Sequence, residues 1–274
     1  MKNIIFYAFI SIFFLQSLNA QLPDEMFVSD DGKKLYTGGQ PSDGLYDETI
    51  IRTIYLDFAQ PNFWDLLHQN YEDKIDIPAT MTVDSVVYEN VGVRFKGNTS
   101  YAWAVEDGEE KLSFNITMDF QDETQDIMGY ETLNLNNCFE DPSFLREFLY
   151  LHLIRKHIPA AKASFVKLVI NGENWGIYPN VQQLNGDYLK EWFLSNDGSL
   201  WRADRDNGTL GGPGWSWGDG TAALNYLGNS LSEYQEYYTL KNNTQTNAWQ
   251  ALRSTCQAVD LSLIHISEPT RHAS

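Results

Sequence analysis

The sequence predicts an α+β protein in which mixed and antiparallel sheets carry packed helices, and three observations lead there. Apolar and polar residues alternate in several short β-rich runs, clearest at 51–58 and 165–170. Apolar residues also recur at helical spacing, in Phe144, Leu145, Phe148, Leu149 and His152 and again in Trp249, Leu252 and Val259. The Asn171-Gly172 pair between two β-rich runs is the strongest hairpin signal in the chain.

Taken in order, residues 21–50 form a polar leader rich in Gly, Asp and Pro, and the ordered part is expected to start near Ile50. A strand is predicted at 51–58, a short helix at 63–71, and two β-rich runs within 80–95, separated by a turn at Glu89-Asn90. The sheet continues through 112–120, and Leu133 and Leu135 enter the core from a further strand. Asp141 is a good N-cap and Pro142 suits a first helical turn, so a helix is expected from there to just before Pro159. The 165–170 strand turns at Asn171-Gly172 into a returning strand at 175–181. A helix at 186–193, a short strand at 200–203, a Gly and Trp loop at 208–220 and a terminal helix at 246–259 complete the domain, with no internal repeat.

The two ends read differently from this middle. Residues 1–20 have one early charge, Lys2, then an apolar run and small residues at the end, as a secretory signal peptide does. The run is short for a membrane span, and no cysteine follows it for lipid attachment. Residues 261–274 resemble an in-frame translation of a sequencing adapter and are set aside, with the expectation that the natural protein continues past Asp260.

The net charge is −18. Setting aside Lys2, Arg271 and Glu268 leaves 17 basic and 36 acidic residues, a net charge of −19. So acidic a surface repels nucleic acid and anionic lipid, and suits basic protein partners, divalent cations or an extracellular setting, or serves solubility alone. Only Cys138 and Cys256 are present, which excludes a disulfide-stapled scaffold. His68, His152 and His157 lack zinc spacing, and His152 on an apolar helical face reads as a core residue. A nucleophile elbow, a Walker lysine loop and a dinucleotide glycine pattern are all missing from the sequence.

The block Leu133-Asn-Leu-Asn-Asn-Cys-Phe-Glu-Asp-Pro-Ser-Phe-Leu-Arg-Glu147 sets amides, carboxylates and an arginine at a strand-to-helix junction. Asn134, Asn136, Asp141 and Arg146 are therefore held on rigid elements. Arg146 can bind a phosphate or pair with Asp141 one turn away. Arg94 and Lys96 are candidate cations, or a pair of solvated strand charges, next to a turn in which Gly97 lets the backbone come close. Asp204 and Asp206 can share a hard cation, or belong to an ordinary Asp-Asn-Gly turn.

Together with Gly92-Val-Arg-Phe-Lys-Gly-Asn-Thr-Ser100 before it and Ile170-Asn-Gly-Glu-Asn-Trp-Gly-Ile-Tyr178 after it, this block resembles the CotH family of spore-coat protein kinases. The likeness runs from about Ile51 to Asp260, through Lys111-Leu-Ser-Phe114, Gln182-Gln-Leu-Asn185 and Gly198-Ser-Leu-Trp-Arg-Ala-Asp204. It implies a two-lobed atypical protein-kinase-like architecture over 51–260, cut short at its C-terminus. It also implies a secreted or coat-associated enzyme that binds ATP with Mg2+ or Mn2+ and phosphorylates extracytoplasmic proteins, basic ones included, with no membrane span once the signal is removed.

On this resemblance Lys111 contacts the nucleotide phosphates and Asp204 binds the metal, with Asp206 and Asn136 as further metal ligands and Arg146 as a catalytic cation. Arg94, Asn98, Thr99 and Ser100 line the turn beside the nucleotide, and Gln182 belongs to the cofactor site. The chain departs from the family pattern at Gln182 and Asn185, where acidic residues are expected, and in the region of Asn229 and Ser230. An amide gives a lysine only a neutral hydrogen bond, so an inactive surface adhesin or coat scaffold is the alternative reading.

Overall fold

Seven strands close into a barrel, an outcome that the alternating runs alone did not foretell. The computed structural model describes residues 27–28, 35–36, 44–193, 198–203, 222–243 and 245–260. A two-residue ladder joins β1 (Phe27–Val28) to β2 (Leu35–Tyr36) ahead of the barrel. The barrel strands are β3 (Arg52–Asp57), β4 (Ile77–Val83), β5 (Val86–Lys96), β6 (Ser113–Thr117), β7 (Thr132–Leu135), β8 (Ala163–Ile170) and β9 (Glu173–Val181). Strands β3 to β7 form an antiparallel meander, the β8–β9 hairpin inserts beside it, and β8 closes the ring by pairing in parallel with β3.

The core follows from period-2 alternation. Ile77, Ala79, Met81 and Val83 of β4 all point inward, and Ile54, Leu56, Val91, Val93, Phe95, Phe114, Ile116, Leu133, Leu135, Val166, Leu168 and Tyr178 meet them in one buried cluster. Helix α1 (Phe63–Gln69) closes one end of the barrel, with Leu67 buried and Trp64 packed between Phe95 and Trp175 at 5.0 and 4.8 Å between ring centroids. At the same end, α2 (Thr99–Glu106) follows β5 and buries Tyr101 and Ala104.

The Asn171-Gly172 hairpin is as predicted, both residues having positive φ, +47° and +83°. The turn expected at Glu89-Asn90 is elsewhere. Strands β4 and β5 are joined at Asp84-Ser85, with φ of +49° and +66°, and Asn90 sits at a register shift within the 11-residue β5. A bulge needs one residue off the ladder, and Asn tolerates the left-handed backbone that this imposes.

Helix α3 (Arg146–Ile154) starts later than its apparent cap. Asp141 instead shapes the turns ahead of the helix: its Oδ1 accepts the Ser143 N–H at 3.1 Å, and its Oδ2 reaches the Arg146 N–H at 2.8 Å. Phe148 packs on Phe165 at 4.8 Å, while His152, expected in the core, is part-buried with Nδ1 2.7 Å from Glu48 Oε2. Helix α4 (Gly186–Phe193) buries Trp192. A second, smaller cluster gathers Tyr234, Tyr238, Leu252 and Cys256. It is built on the β10 (Ser199–Ala203) and β11 (Tyr238–Asn243) pair with α5 (Leu231–Gln235) and α6 (Ala248–Asp260). Cys138 and Cys256 are both free. Among the described residues no helix is long and apolar enough to cross a membrane.

Candidate functional site

The face of the barrel that the core leaves outside carries the polar site. Because Leu133 and Leu135 point in, Asn134 and Asn136 point out, and because Val93 and Phe95 point in, Arg94 and Lys96 point out. A cavity of about 480 Å³ opens where the end of β5, the turn into α2 and the start of α3 converge. Lys96, Gly97, Ser100, Ser113, Asn136 and Glu147 line it, with Arg146 and the 137–141 segment at its other side.

A relay of three side chains crosses this cavity. The Lys96 ammonium donates to Asn136 Oδ1 at 3.0 Å, and Asn136 Nδ2 donates to both oxygens of Glu147 at 2.8 and 2.9 Å. Asn136 so joins a cation to a carboxylate through a neutral amide. Burial pushes the Lys96 pKa down to about 8; Glu147 opposes that shift and Arg94 adds to it. Asn137 seals the wall behind: its backbone N–H and Oδ1 both engage the Ser113 hydroxyl, at 2.9 and 3.0 Å, and its Nδ2 donates to the Lys111 carbonyl at 3.0 Å.

Gly97, with φ of +102°, makes the turn from β5 into α2. Ser100, in the first turn of that helix, faces the cavity, and the exposed Asn98 contributes its carbonyl to the N–H groups of Tyr101 and Ala102 without a side-chain cap. On the other rim, Arg146 donates to the Glu140 carbonyl at 2.9 Å and lies 3.6 Å from Asp141. The Asp141 carboxyl is held below its ordinary range, first by the Ser143 hydroxyl. The cavity so sets one lysine, one arginine and a helix N-terminus beside three acidic residues, Glu140, Asp141 and Glu147, a mixed lining that suits an anion together with a cation.

Other sequence candidates are placed apart from this group. Lys111 is half-buried behind the wall. Its ammonium donates to the Ile177 carbonyl at 2.8 Å and lies between the Phe144 and Tyr178 rings at 4.6 and 4.5 Å, and burial lowers its pKa. The neighbouring Cys138 thiol is pushed up to about 11 by burial against the pull of Lys111, which makes it a poor nucleophile at neutral pH. Arg94 is paired with Asp76 at 2.6 Å, outside the cavity lining.

Gln182 lies five residues along β9 from Ile177, roughly 16 Å at strand rise, near the opposite end of the barrel. It is buried there, accepting the Lys162 N–H at 3.0 Å and donating to Glu191 at 3.0 Å. Asp204 and Asp206 fall outside the described residues, as do 1–20, the 208–220 loop and the 261–274 tail. Among the described residues no three His, Cys, Asp or Glu side chains are grouped to hold a metal ion.

The structure brings Asn136, Ser100 and Arg146, three of the candidates named from the sequence, onto one cavity with Lys96, which the sequence offered only as a candidate cation or a solvated strand charge, and with Glu147, which the sequence reading did not single out. The available signal was phase: Lys96 and Asn136 both alternate outward from core residues on strands that bracket β6. A family model described as CotH kinase protein matches residues 93–262. The chain belongs to that family. The matched span starts on β5 and takes in every residue that lines the CotH cavity. No curated protein matches the chain.

Proposed function

We propose that this CotH chain is a secreted atypical protein kinase that moves the γ-phosphate of ATP to hydroxyl side chains of extracytoplasmic or coat proteins. The observation that carries the reading is the Lys96–Asn136–Glu147 relay beside the Gly97 turn and the α2 N-terminus in one cavity. Phosphoryl transfer depends on positioning and charge neutralisation more than on covalent chemistry, and these are the parts supplied. In the transfer, the acceptor oxygen bonds to the γ-phosphorus, the bond from that phosphorus to the β,γ-bridging oxygen breaks, and ADP departs with the electron pair. The hydroxyl proton leaves to a carboxylate or solvent.

In this reading Lys96 and Arg146 bind the phosphates, Ser100 and Asn98 belong to the phosphate turn, and Asp204 and Asp206 hold Mg2+ or Mn2+. The metal would supply positive charge to offset that of the phosphates. Gln182 gives no reason to prefer an inactive scaffold, because its amide serves a network with a lysine and a glutamate of its own. The acidic chain favours a basic protein as the acceptor.

Thermal melting and radiolabel transfer test this. ATP with magnesium at millimolar concentration should raise Tm, since a ligand that prefers the native state stabilises it. Lys96→Met should abolish most of the shift, and Asp204→Asn should abolish transfer. Transfer that survives both substitutions would overturn the residue assignments, and neither shift nor transfer in the wild type would overturn the kinase reading.

A further inference from the structure

The Gly97 turn is fixed from behind by aromatic side chains that line no part of the cavity. Tyr71, in the turn after α1, donates its hydroxyl to the Gly97 carbonyl at 2.7 Å. Its ring stacks on Tyr101 of α2 with centroids 3.4 Å apart and planes within 15°, and the Tyr101 hydroxyl lies 2.7 Å from His68 Nδ1 on α1. A chain of contacts so runs from the helix that closes the barrel to the one residue whose backbone sets the entry to α2. Burial raises the Tyr71 pKa to about 12, so the hydroxyl stays a donor across the working pH range.

Gly97 needs such a hold. At φ of +102° it occupies backbone space that favours glycine, and a Cβ there would stand 2.5 Å from Ser100 Oγ. The freedom that permits the turn also permits its peptide plane to rotate. In a trans peptide the C=O and the following N–H point opposite ways. With the Gly97 oxygen directed at Tyr71, which lines no part of the cavity, the Asn98 N–H is turned away from Tyr71.

We infer that Tyr71 is a positioning residue for polyphosphate: by holding the Gly97 carbonyl it orients the 97–98 peptide and the first N–H groups of α2 toward the phosphate chain. The inference rests on the nucleotide reading of the cavity. It assigns Tyr71 to the phosphate end of the ligand, with no part in recognising the nucleoside.

The test is Tyr71→Phe, which removes one hydroxyl and keeps the stacked ring. Calorimetry with ADP, inorganic tripolyphosphate and adenosine separates the two halves of the ligand, and apo melting with circular dichroism reports the fold. Loss of one oriented hydrogen bond should weaken ADP and tripolyphosphate roughly five- to tenfold, with adenosine affinity and apo Tm nearly unchanged. Tyr101→Phe, one link further back, should have a smaller effect of the same kind. Equal weakening of all three ligands, or ADP affinity within twofold of wild type, would overturn the role given to Tyr71. Absence of ADP and tripolyphosphate binding in the wild type itself would instead overturn the underlying site.

Discussion

Lys162→Met is expected to be among the most destabilising single changes outside the hydrophobic core. Lys162 precedes β8 and is 4 % exposed. Its ammonium stands 3.1 Å from Glu191 Oε2 on α4 and 3.2 Å from the Tyr130 hydroxyl, which itself donates to Glu191 Oε1 at 2.8 Å. Gln182 adds a third contact to the same carboxylate. Methionine keeps the apolar stem and removes the charge, leaving Glu191 without its lysine. Breaking a buried pair this way costs about 3–5 kcal/mol. Glu191 keeps its Tyr130 and Gln182 donors and retains 23 % side-chain exposure, which lowers the figure to about 2–3 kcal/mol. For a protein of this size that corresponds to a fall in Tm of roughly 5–10 °C. Urea unfolding followed by tryptophan fluorescence measures it directly. The Lys162→Met/Glu191→Met double variant should recover part of the loss, because Lys162 and Glu191 no longer leave one another unpaired, while Arg155 loses a nearby carboxylate. A single variant within 1 kcal/mol of wild type, or strict additivity in the double, would refute the argument.

Gln182→Glu places a second carboxylate about 3.0 Å from Glu191, where two charges at an effective dielectric of 20 repel by roughly 5 kcal/mol; the new acid therefore keeps its proton in the folded state. Its folded pKa then lies above the unfolded value of about 4.3, so the stability deficit is absent at lower pH and grows as pH rises through the folded pKa; an equal deficit at pH 4.5 and 7.5 would refute this. Because Lys96 titrates near 8 in the free protein, tripolyphosphate affinity should weaken as pH rises through that value, and calorimetry on Lys96→Arg, which stays charged, should show a flat profile. Gly92→Ala puts a Cβ 2.7 Å from the Phe120 ring and 2.9 Å from Asp76 Oδ2, and overpacking of this kind should cost about 1–3 kcal/mol; an unchanged melting curve would count against the close approach.

The strands at Arg52–Asp57 and Ala163–Ile170 were legible because alternation there tells inside from outside, whereas the β4–β5 pair was divided at the wrong turn because Asn90 sits at a bulge. Ring closure was not, because it depends on Arg52 to Leu56 meeting Val166 to Ile170, a pairing over a hundred residues apart that leaves no local mark. Asp141 looked like a helix cap and does bind the α3 N-terminus, but Ser143 draws its carboxylate into a turn first, so the helix starts at Arg146. Within the site, Asn136, Ser100 and Arg146 could be named because strand phase and a glycine turn locate them. Gln182 could not be placed: its position in sequence suggests the same cleft as Lys111, whereas strand length puts it at the far end of the barrel.

The choice between the two lysines turns on what each must give up to meet a phosphate. Lys96 is held by a neutral amide oxygen, and exchanging it for a phosphate oxygen pairs the ammonium with an opposite charge instead of a dipole. The displaced Asn136 keeps both Nδ2 contacts to Glu147 and gives up only the donor to its Oδ1, at a residue that is half-buried and beside the open cavity. Lys111 would have to leave the Ile177 carbonyl and two aromatic faces, each ring contact worth about 0.5–2 kcal/mol. Its departure would also leave that carbonyl without its donor. Burial depresses the pKa of both lysines, so both gain from a nearby anion, but Lys96 already lines the cavity and gives up one hydrogen bond, whereas Lys111 gives up a hydrogen bond and two ring contacts. Lys96→Met should therefore abolish polyphosphate binding, and Lys111→Met should chiefly lower Tm. The reverse pattern would return the phosphate role to Lys111.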